Sequence, residues 1–129
     1  MTIQTQIFDH GVAWEEANSV TQGYRVGNTI YISGQFSHDQ HGFVDGDIEA
    51  QARLTLENLD RVLQGFGVTK KNLAYVEVYL TKPQDHFEAV IPIWKNYLDG
   101  HRPAGTLIGV TYLASAAQMI EISAIAHTD

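Results

Sequence analysis

Glu121 sits between Ile120 and Ile122 in an alternating apolar stretch near the end of the chain. A carboxylate among aliphatic neighbours is suited to moving a proton or aligning a water. The same spacing describes a structural carboxylate hydrogen-bonded to a neighbouring loop, and spacing alone favours that role. Ser33 and Gly34 end another alternating run, "NTIYISGQF", where a hydroxyl and a backbone N–H could meet a ligand. The third feature is "HRPAGTLIGV", residues 101 to 110. Gly105 stands there at the mouth of a strand, where a side chain could face a pocket. Its alternative role is a backbone position that needs positive φ.

Other routes to chemistry are closed. The chain has no cysteine, so no thiolate nucleophile, no disulfide and no cysteine zinc site. His10, His38, His41, His86, His101 and His127 form neither HxH nor HExxH. His38 and His41 bracket Asp39 in "SHDQHG", which reads as a solvated turn and not as a metal site. No serine sits in GxSxG, and no glycine run matches a P-loop or dinucleotide fingerprint. None of these patterns points to a metal site or a nucleotide cofactor. The net charge is −7, with 15 acids against 8 bases. Phosphate backbones need clustered Lys and Arg, and Lys70-Lys71 is the one adjacent basic pair, so nucleic acid is not the expected partner.

The elements that must position these residues follow from periodicity. Residues 29 to 35 alternate as a strand, with a two-residue turn at Gly27-Asn28 and residues 19 to 26 as its hairpin partner. Residues 47 to 67 form the strongest helix, with Ile48, Ala52, Leu56, Leu59, Leu63 and Phe66 on one face. Asp47 is its expected N-cap and Gly65 or Gly67 its stop. "NLAYVEVYLTK" is a long strand with Ala74, Val76, Val78 and Leu80 on one face. A second helical stretch opens at Pro83. Pro92 either starts its regular part or kinks it. Two strands, "GTLIGVTYL" and "QMIEISAIAH", close the chain. At 129 residues one domain is expected, residues 1–129. Helices cover one sheet face. The other mixes tyrosines, polar groups and aliphatics, which suggests subunit contact. The polar run after Met1 is no signal peptide, and no apolar run is long enough to span a membrane. A cytoplasmic protein without a membrane partner is expected.

Five segments taken together resemble the Rid superfamily, also called the YjgF family and labelled endoribonuclease L-PSP. They are "GNTIYISGQ" (27–35), "DIEAQARLTLENLDRVLQGFG" (47–67), "VEVYLTKPQDHF" (76–87), "RPAGTLIGVTYLA" (102–114) and "IEISAIA" (120–126). They run in order over the chain after residue 18. The resemblance implies an α+β, chorismate-mutase-like sheet with two helices on one face. It also implies a homotrimeric barrel with a small-molecule ligand in an intersubunit cleft. The best-understood branch hydrolyses enamines and imines to 2-keto acids and ammonia without metal or cofactor. In that branch an arginine after "PA" grips the substrate carboxylate, an interaction that suits guanidinium geometry. That position is Gly105 here. A family tyrosine falls at Val20, a cysteine at Leu107 and an asparagine near Ile91. Ser33, Gly34 and Glu121 match the family pattern, and the glutamate is implied to position the hydrolytic water.

The resemblance thus implies a branch lacking the catalytic arginine. The expected function is a deaminase or hydrolase of an enamine or imine metabolite, but not a standard 2-iminoacid deaminase. Glu121 would be catalytic. Ser33, Gly34, Gly105, Thr106, Leu107, Val20, Trp94 and Arg102 would line the ligand site. Arg102 is the nearest guanidinium that could reach the cleft, although loop arginines are usually just solvated. Trp94, Tyr24 and Phe36 are candidate aromatic liners or core residues. The alternative is a non-catalytic metabolite-binding trimer. An endoribonuclease is disfavoured by the acidic charge.

Overall fold

The computed structural model describes residues 3–129; Met1, which begins the leader reading, lies outside them. The chain runs β1 (Thr5–Phe8), α1 (Ala13–Ala17), β2 (Gly23–Val26), β3 (Thr29–Gln35), β4 (His38–Asp39), β5 (Gly42–Phe43) and α2 (Ile48–Gly65). It continues with β6 (Leu73–Thr81), α3 (Pro83–Leu98), β7 (Ala104–Val110) and β8 (Ile120–His127). Six strands form one sheet in the order β1-β2-β3-β8-β6-β7, with β6 and β7 parallel and the other pairs antiparallel. The architecture is mixed α+β, with α2 and α3 packed on the sheet. Among the described residues no helix is long and apolar enough to cross a membrane.

The local signals explain the boundaries. The Asp47 carboxylate accepts a hydrogen bond from the Ala50 N–H at 2.8 Å, satisfying an orphan donor at the start of α2. Of the two glycines expected to stop α2, Gly67 does so, at φ +72°. Its N–H reaches Gln64 O at 2.9 Å and Val68 N–H reaches Leu63 O at 3.1 Å, the Schellman pattern. The helix α3 begins at Pro83 and continues through Pro92. Pro92 is exposed on that helix and does not mark its start.

Several boundaries differ from the sequence expectation. The hairpin partner of β3 starts at Gly23; residues 19–22 are loop, with Ser19 at φ +56°. β1 and α1 carry too few apolar residues to announce themselves. β7 ends at Val110, before "TYL". The last strand begins at Ile120, because Gln118 and Met119 belong to the turn before it.

The core lies between the helices and one sheet face, where Ile30, Leu59, Leu63, Leu80, Ile120 and Ile122 are almost wholly buried. Three polar residues interrupt the buried stripe of α2: Gln51, Thr55 and Asn58, each 0% exposed. Among the described residues the opposite sheet face carries no helix. Strand register aligns Ile7, Tyr24, Tyr31, Ile125 and Tyr75 in one row across five strands of that face. Ile7, Tyr24 and Tyr31 are 55, 43 and 51% exposed, a broad apolar-aromatic surface.

The segment before β2 is pinned by a polar and aromatic cluster. The Glu15 carboxylate accepts the backbone N–H groups of His10, Gly11 and Val12 at 2.7, 3.0 and 2.9 Å. The Gln35 amide donates to Gln22, so its Oε1 faces His10 Nε2 at 2.8 Å and makes that nitrogen the donor. His10 Nδ1 then has no partner. The His10 and His38 rings are 5.2 Å apart, and Phe36 and Trp14 pack on His38 at 4.7 and 5.0 Å. Burial is the main cause lowering both histidine pKa values, and the Arg61 guanidinium adds to it. For His10, Gln35, Glu15 and Asp9 oppose that shift. For His38, the backbone of Asp39 and its carboxylate oppose it.

This cluster sets a pH dependence. The folded pKa values lie below the ordinary 6.5, so the unfolded chain takes up protons first as pH falls. The histidine contribution should be level well above pH 6.5 and decline as pH falls from 6.5 through the lowered folded values. Urea midpoints measured across that range should fall, and His38→Phe should fall less. An equal slope in the variant would locate the effect elsewhere.

Candidate functional site

The candidate catalytic residue is built from the turn before β8 and from the irregular end of β3. Glu121 is half-buried on the helix-free face of the sheet, paired in register with Tyr79 of β6. The register between β3 and β8 shifts between Ile32 and Gln35, so Ser33 and Gly34 form a bulge. A side chain at Gly34 would run into Oε2 of Glu121 and sit 2.7 Å from its Cδ. Gly34 is therefore glycine because the carboxylate occupies its side-chain space. The other carboxylate oxygen, Oε1, accepts the Gln118 amide at 3.0 Å. Gln118 is itself buried, and its amide also reaches Ile120 O at 3.2 Å.

The turn that carries Gln118 is held by α2. Gln51 donates to Gly46 O and Ala117 O, both at 3.0 Å, and accepts from Met119 N–H at 2.9 Å. The chain of contacts is thus Gln51, turn 115–119, Gln118, Glu121. Next to it, Tyr79 donates to Glu77 Oε1 at 3.1 Å, and Ser123 Oγ lies 3.5 Å from the same oxygen. Desolvation is the main influence raising the Tyr79 phenol, and the Glu77 and Glu121 carboxylates add to it. Tyr79 stays a hydrogen-bond donor at neutral pH. The face thus offers a carboxylate with one oxygen fixed, a second carboxylate and a phenol. That set can bind and orient water and relay a proton. Among the described residues no group of His, Asp and Glu is placed to hold a metal ion.

Ser33 contributes less than its type suggests. Its N–H is spent on Gln22 O at 2.9 Å and its hydroxyl donates to Thr21 O at 2.6 Å. Its hydroxyl lone pairs remain for a ligand donor. Val20 is exposed, and its N–H is bonded to Glu15 O at 2.9 Å.

A second group lies on the other face of the sheet. Gly105, Thr106, Leu107 and Trp94 line a cavity between α3 and β7, together with Ile91. The Thr106 hydroxyl is turned away from it, 2.9 Å from the Tyr75 hydroxyl on the helix-free face. Gly105 is not among the residues with positive φ, so the hinge alternative fails. What constrains it is space: a Cβ there would meet Val76 Cγ2 at 2.9 Å and Val76 O at 3.2 Å. Arg102 is exposed in a groove with Lys95, Leu98, Gly100, His101 and Pro103, and Trp94 forms the wall between that groove and the cavity. Tyr24 belongs to the open aromatic row and Phe36 to the histidine cluster.

One protomer therefore joins Glu121, Gly34 and Ser33 but does not join them to Gly105, Leu107 and Trp94. Periodicity did not reveal Gln51, Gln118, Glu77 and Tyr79 as partners. The available signal was the polar stripe of Gln51, Thr55 and Asn58 within the apolar face of α2, since buried amides must find hydrogen bonds.

The family model described as Endoribonuclease L-PSP matches residues 11–128. "Protein mmf2, mitochondrial" of Schizosaccharomyces pombe is 37% identical over 107 residues, covering 81% of this chain and 84% of that protein. A "2-iminobutanoate/2-iminopropanoate deaminase" of Rattus norvegicus is 34% identical over 108 residues, covering 82% of this chain and 77% of the relative. The solved structure of YyfA from Yersinia pestis, described as of the Rid protein family, superposes with a TM-score of 0.86 at 26% identity. It covers 97% of this chain and 100% of that one.

Two substitutions should separate positioning from folding. Gln51→Leu leaves Ala117 O, Gly46 O and Met119 N–H without their partner. It should destabilise the protein by about 1–3 kcal/mol, the cost of an unsatisfied buried polar group, read as a lower thermal midpoint. Gly34→Ala drives the Glu121 carboxylate from its seat but leaves the Gln51 bonds intact, and should lower the midpoint less than Gln51→Leu. A large stability loss in Gly34→Ala would show that the backbone, not the carboxylate, requires glycine there.

Proposed function

The chain belongs to the Endoribonuclease L-PSP family, the YjgF or Rid family, and on that premise we propose that it hydrolyses the C=N bond of a small imine or enamine metabolite. The observation that carries this reading is the Glu121 carboxylate, fixed by Gln118 on one oxygen and seated against the Gly34 backbone with the other. In the proposed step Glu121 takes a proton from water as the oxygen attacks the imine carbon. The proton passes from Glu121 to the imine nitrogen, the hydroxyl of the resulting carbinolamine gives up its proton to the nitrogen as the C–N bond breaks, and ammonia and a carbonyl product leave; an enamine enters the same route as its imine tautomer. No metal or cofactor is needed. An imine is already electrophilic, so one oriented base with a few ligand contacts is enough.

The substrate differs from that of a 2-iminoacid deaminase. Gly105 stands where the family resemblance puts the carboxylate-binding arginine, and Leu107 and Val20 replace two further polar residues. Losing a buried bidentate partner weakens binding of a carboxylate ligand by about 2–5 kcal/mol. In the protomer Arg102 is exposed in a separate groove, with Trp94 between that groove and the cavity. The non-catalytic metabolite-binding trimer remains the rival reading, favoured by the same three replacements.

The reading includes a homotrimer in the cytoplasm, with the ligand cleft between subunits. The row of Ile7, Tyr24 and Tyr31 supports it, because an exposed aromatic sheet face calls for a covering surface. Nucleic acid and membrane are not partners in this reading.

Two measurements test the proposal. Sedimentation should report three chains of 14.3 kDa; a stable monomer at micromolar concentration removes the intersubunit cleft. In a screen of simple imines and enamines for ammonia release, neutral substrates should turn over and 2-aminoacrylate should react slowly or not at all. Glu121→Gln should fold normally and lose at least about 100-fold in rate, as removal of a general base does. Unchanged turnover in that variant returns Glu121 to a structural role. No turnover with any imine favours the binding protein.

A further inference from the structure

We propose that Gln35 is a positioning residue for Glu121: its buried side-chain amide fixes the Ser33–Gly34 peptide against which the carboxylate is seated. The proposal deepens the imine-hydrolase reading and rests on it for its kinetic test alone.

Gln35 occupies a place that suits an apolar residue. It ends β3, registers with Ile122 of β8 and is 0% exposed. An amide so deeply placed must find its partners inside the protein. It finds three. Its Nε2 donates to Gln22 Oε1 at 2.8 Å and to Ser33 O at 3.0 Å, and its Oε1 accepts from His10 Nε2 at 2.8 Å. The Ser33 carbonyl can only accept, so it decides which way round the amide lies. The NH2 group must face Ser33, and the oxygen is left for His10. Glu15 secures the His10 end, accepting the backbone N–H groups of His10, Gly11 and Val12.

The bond to Ser33 reaches Glu121 through one rigid unit. The β3–β8 register is interrupted between Ile32 and Gln35, so a regular ladder does not set the direction of the bulge peptide. A trans peptide is planar, and holding Ser33 O therefore also sets Gly34 N–H and the Gly34 Cα. That Cα is the seat: its missing side chain leaves the space that Glu121 Oε2 occupies. Gln118 holds the other oxygen at 3.0 Å. Ser33 is tied from its own side, its hydroxyl to Thr21 O and its N–H to Gln22 O. Those bonds fix the entry to the bulge, and Gln35 fixes the carbonyl that leads into Gly34. A methionine at position 35 would fill similar volume and release that carbonyl. What it removes is direction and not bulk.

The test uses the isotope-labelled full chain, as wild type and as Gln35→Met. Glu121→Gln changes what sits against Gly34 and should move the Gly34 amide resonance. In the Gln35→Met background that movement should shrink to about half or less, because the seat is no longer aligned. With a neutral imine, Gln35→Met should lose at least about tenfold in kcat while KM stays within about twofold, the mark of lost alignment and not of lost binding. A lower thermal midpoint accompanied by a wild-type Gly34 response and a wild-type kcat would overturn the proposal. One check needs no variant and holds if Gln35→Met does not fold. A through-hydrogen-bond NMR coupling between Gln35 Nε2 and the Ser33 carbonyl carbon is expected in the wild type, and its absence overturns the proposal as well. If no imine turns over, the imine-hydrolase reading fails, and the Gly34 response still decides the role of Gln35.

Discussion

The side-chain amide of Gln51 is the contact on which the geometry of the Glu121 cluster rests. It is fully buried and bonds three backbone groups, Gly46 O, Ala117 O and Met119 N–H. These groups lie in segments with no ladder to satisfy them, and buried backbone groups must be paired. One helix residue therefore fixes both the approach to α2 and the turn that delivers β8. Asn58, two turns further along, does the same for the other side, donating to Phe36 O at 2.8 Å and His38 O at 3.1 Å. The helix α2 is more than an apolar cover for the sheet. Its buried polar stripe sets where two irregular segments run, and those segments flank β3 and β8.

That constraint explains how a carboxylate can be held in place on a face with no helix. An exposed glutamate on a sheet would sample several rotamers. Glu121 cannot do so freely, because Gln118 holds one oxygen and the bulge at Ser33-Gly34 makes a seat for the other. The bulge is affordable because Ser33 anchors it, with both donors spent on the 21–22 segment. Rigidity at the carboxylate thus comes from groups that never touch a ligand. Pre-orientation of this kind is what a single-base site requires, since catalysis depends on the base already being aligned.

The sequence made some of this legible. The 3.6-residue stripe of α2, its Asp47 cap and the alternation in β3, β6 and β8 follow from local rules, and the structure carries them. Pairings were harder. β1 offers four residues with a single Ile7 and Phe8 as apolar signal, so its place at the sheet edge comes from tertiary pairing with β2. Pro92 could not be placed because its tolerance depends on which side of α3 faces solvent. Glu121 was visible as a candidate, but its holder was not. Gln118 lies in the stretch read as strand, and a turn glutamine has no periodic signature. The sequence marks Gly105 as a candidate pocket position or a backbone position, and the two explanations differ only in φ and in what surrounds a Cβ. Both are properties of the folded chain.

Gly105 presents a separate physical choice on the helix-facing side of the sheet. A side chain there must pass Val76, whose Cγ2 and carbonyl oxygen crowd the Cβ position. An arginine would need Val76 to turn aside and would bring a charge to a cavity whose other lining groups are carbon. Once the guanidinium is absent, nothing in the cavity compensates a carboxylate. Apolar surface, by contrast, is stabilised there by about 25 cal/mol for each Å² removed from water. Over a ring-sized group that gain is comparable to the roughly 2–5 kcal/mol that a bidentate carboxylate contact supplies. A glycine at this position thus offers no partner to a carboxylate and leaves room beside Val76 for carbon. The neighbouring replacements point the same way: Leu107 at the mouth and Ile91 in the roof present carbon where the family resemblance puts a thiol and an amide. Val76, which would have to yield for any side chain at position 105, instead packs as floor. Three positions on two elements agree in character, which is what a pocket shaped for apolar contents looks like and what loss of a single polar residue would not produce.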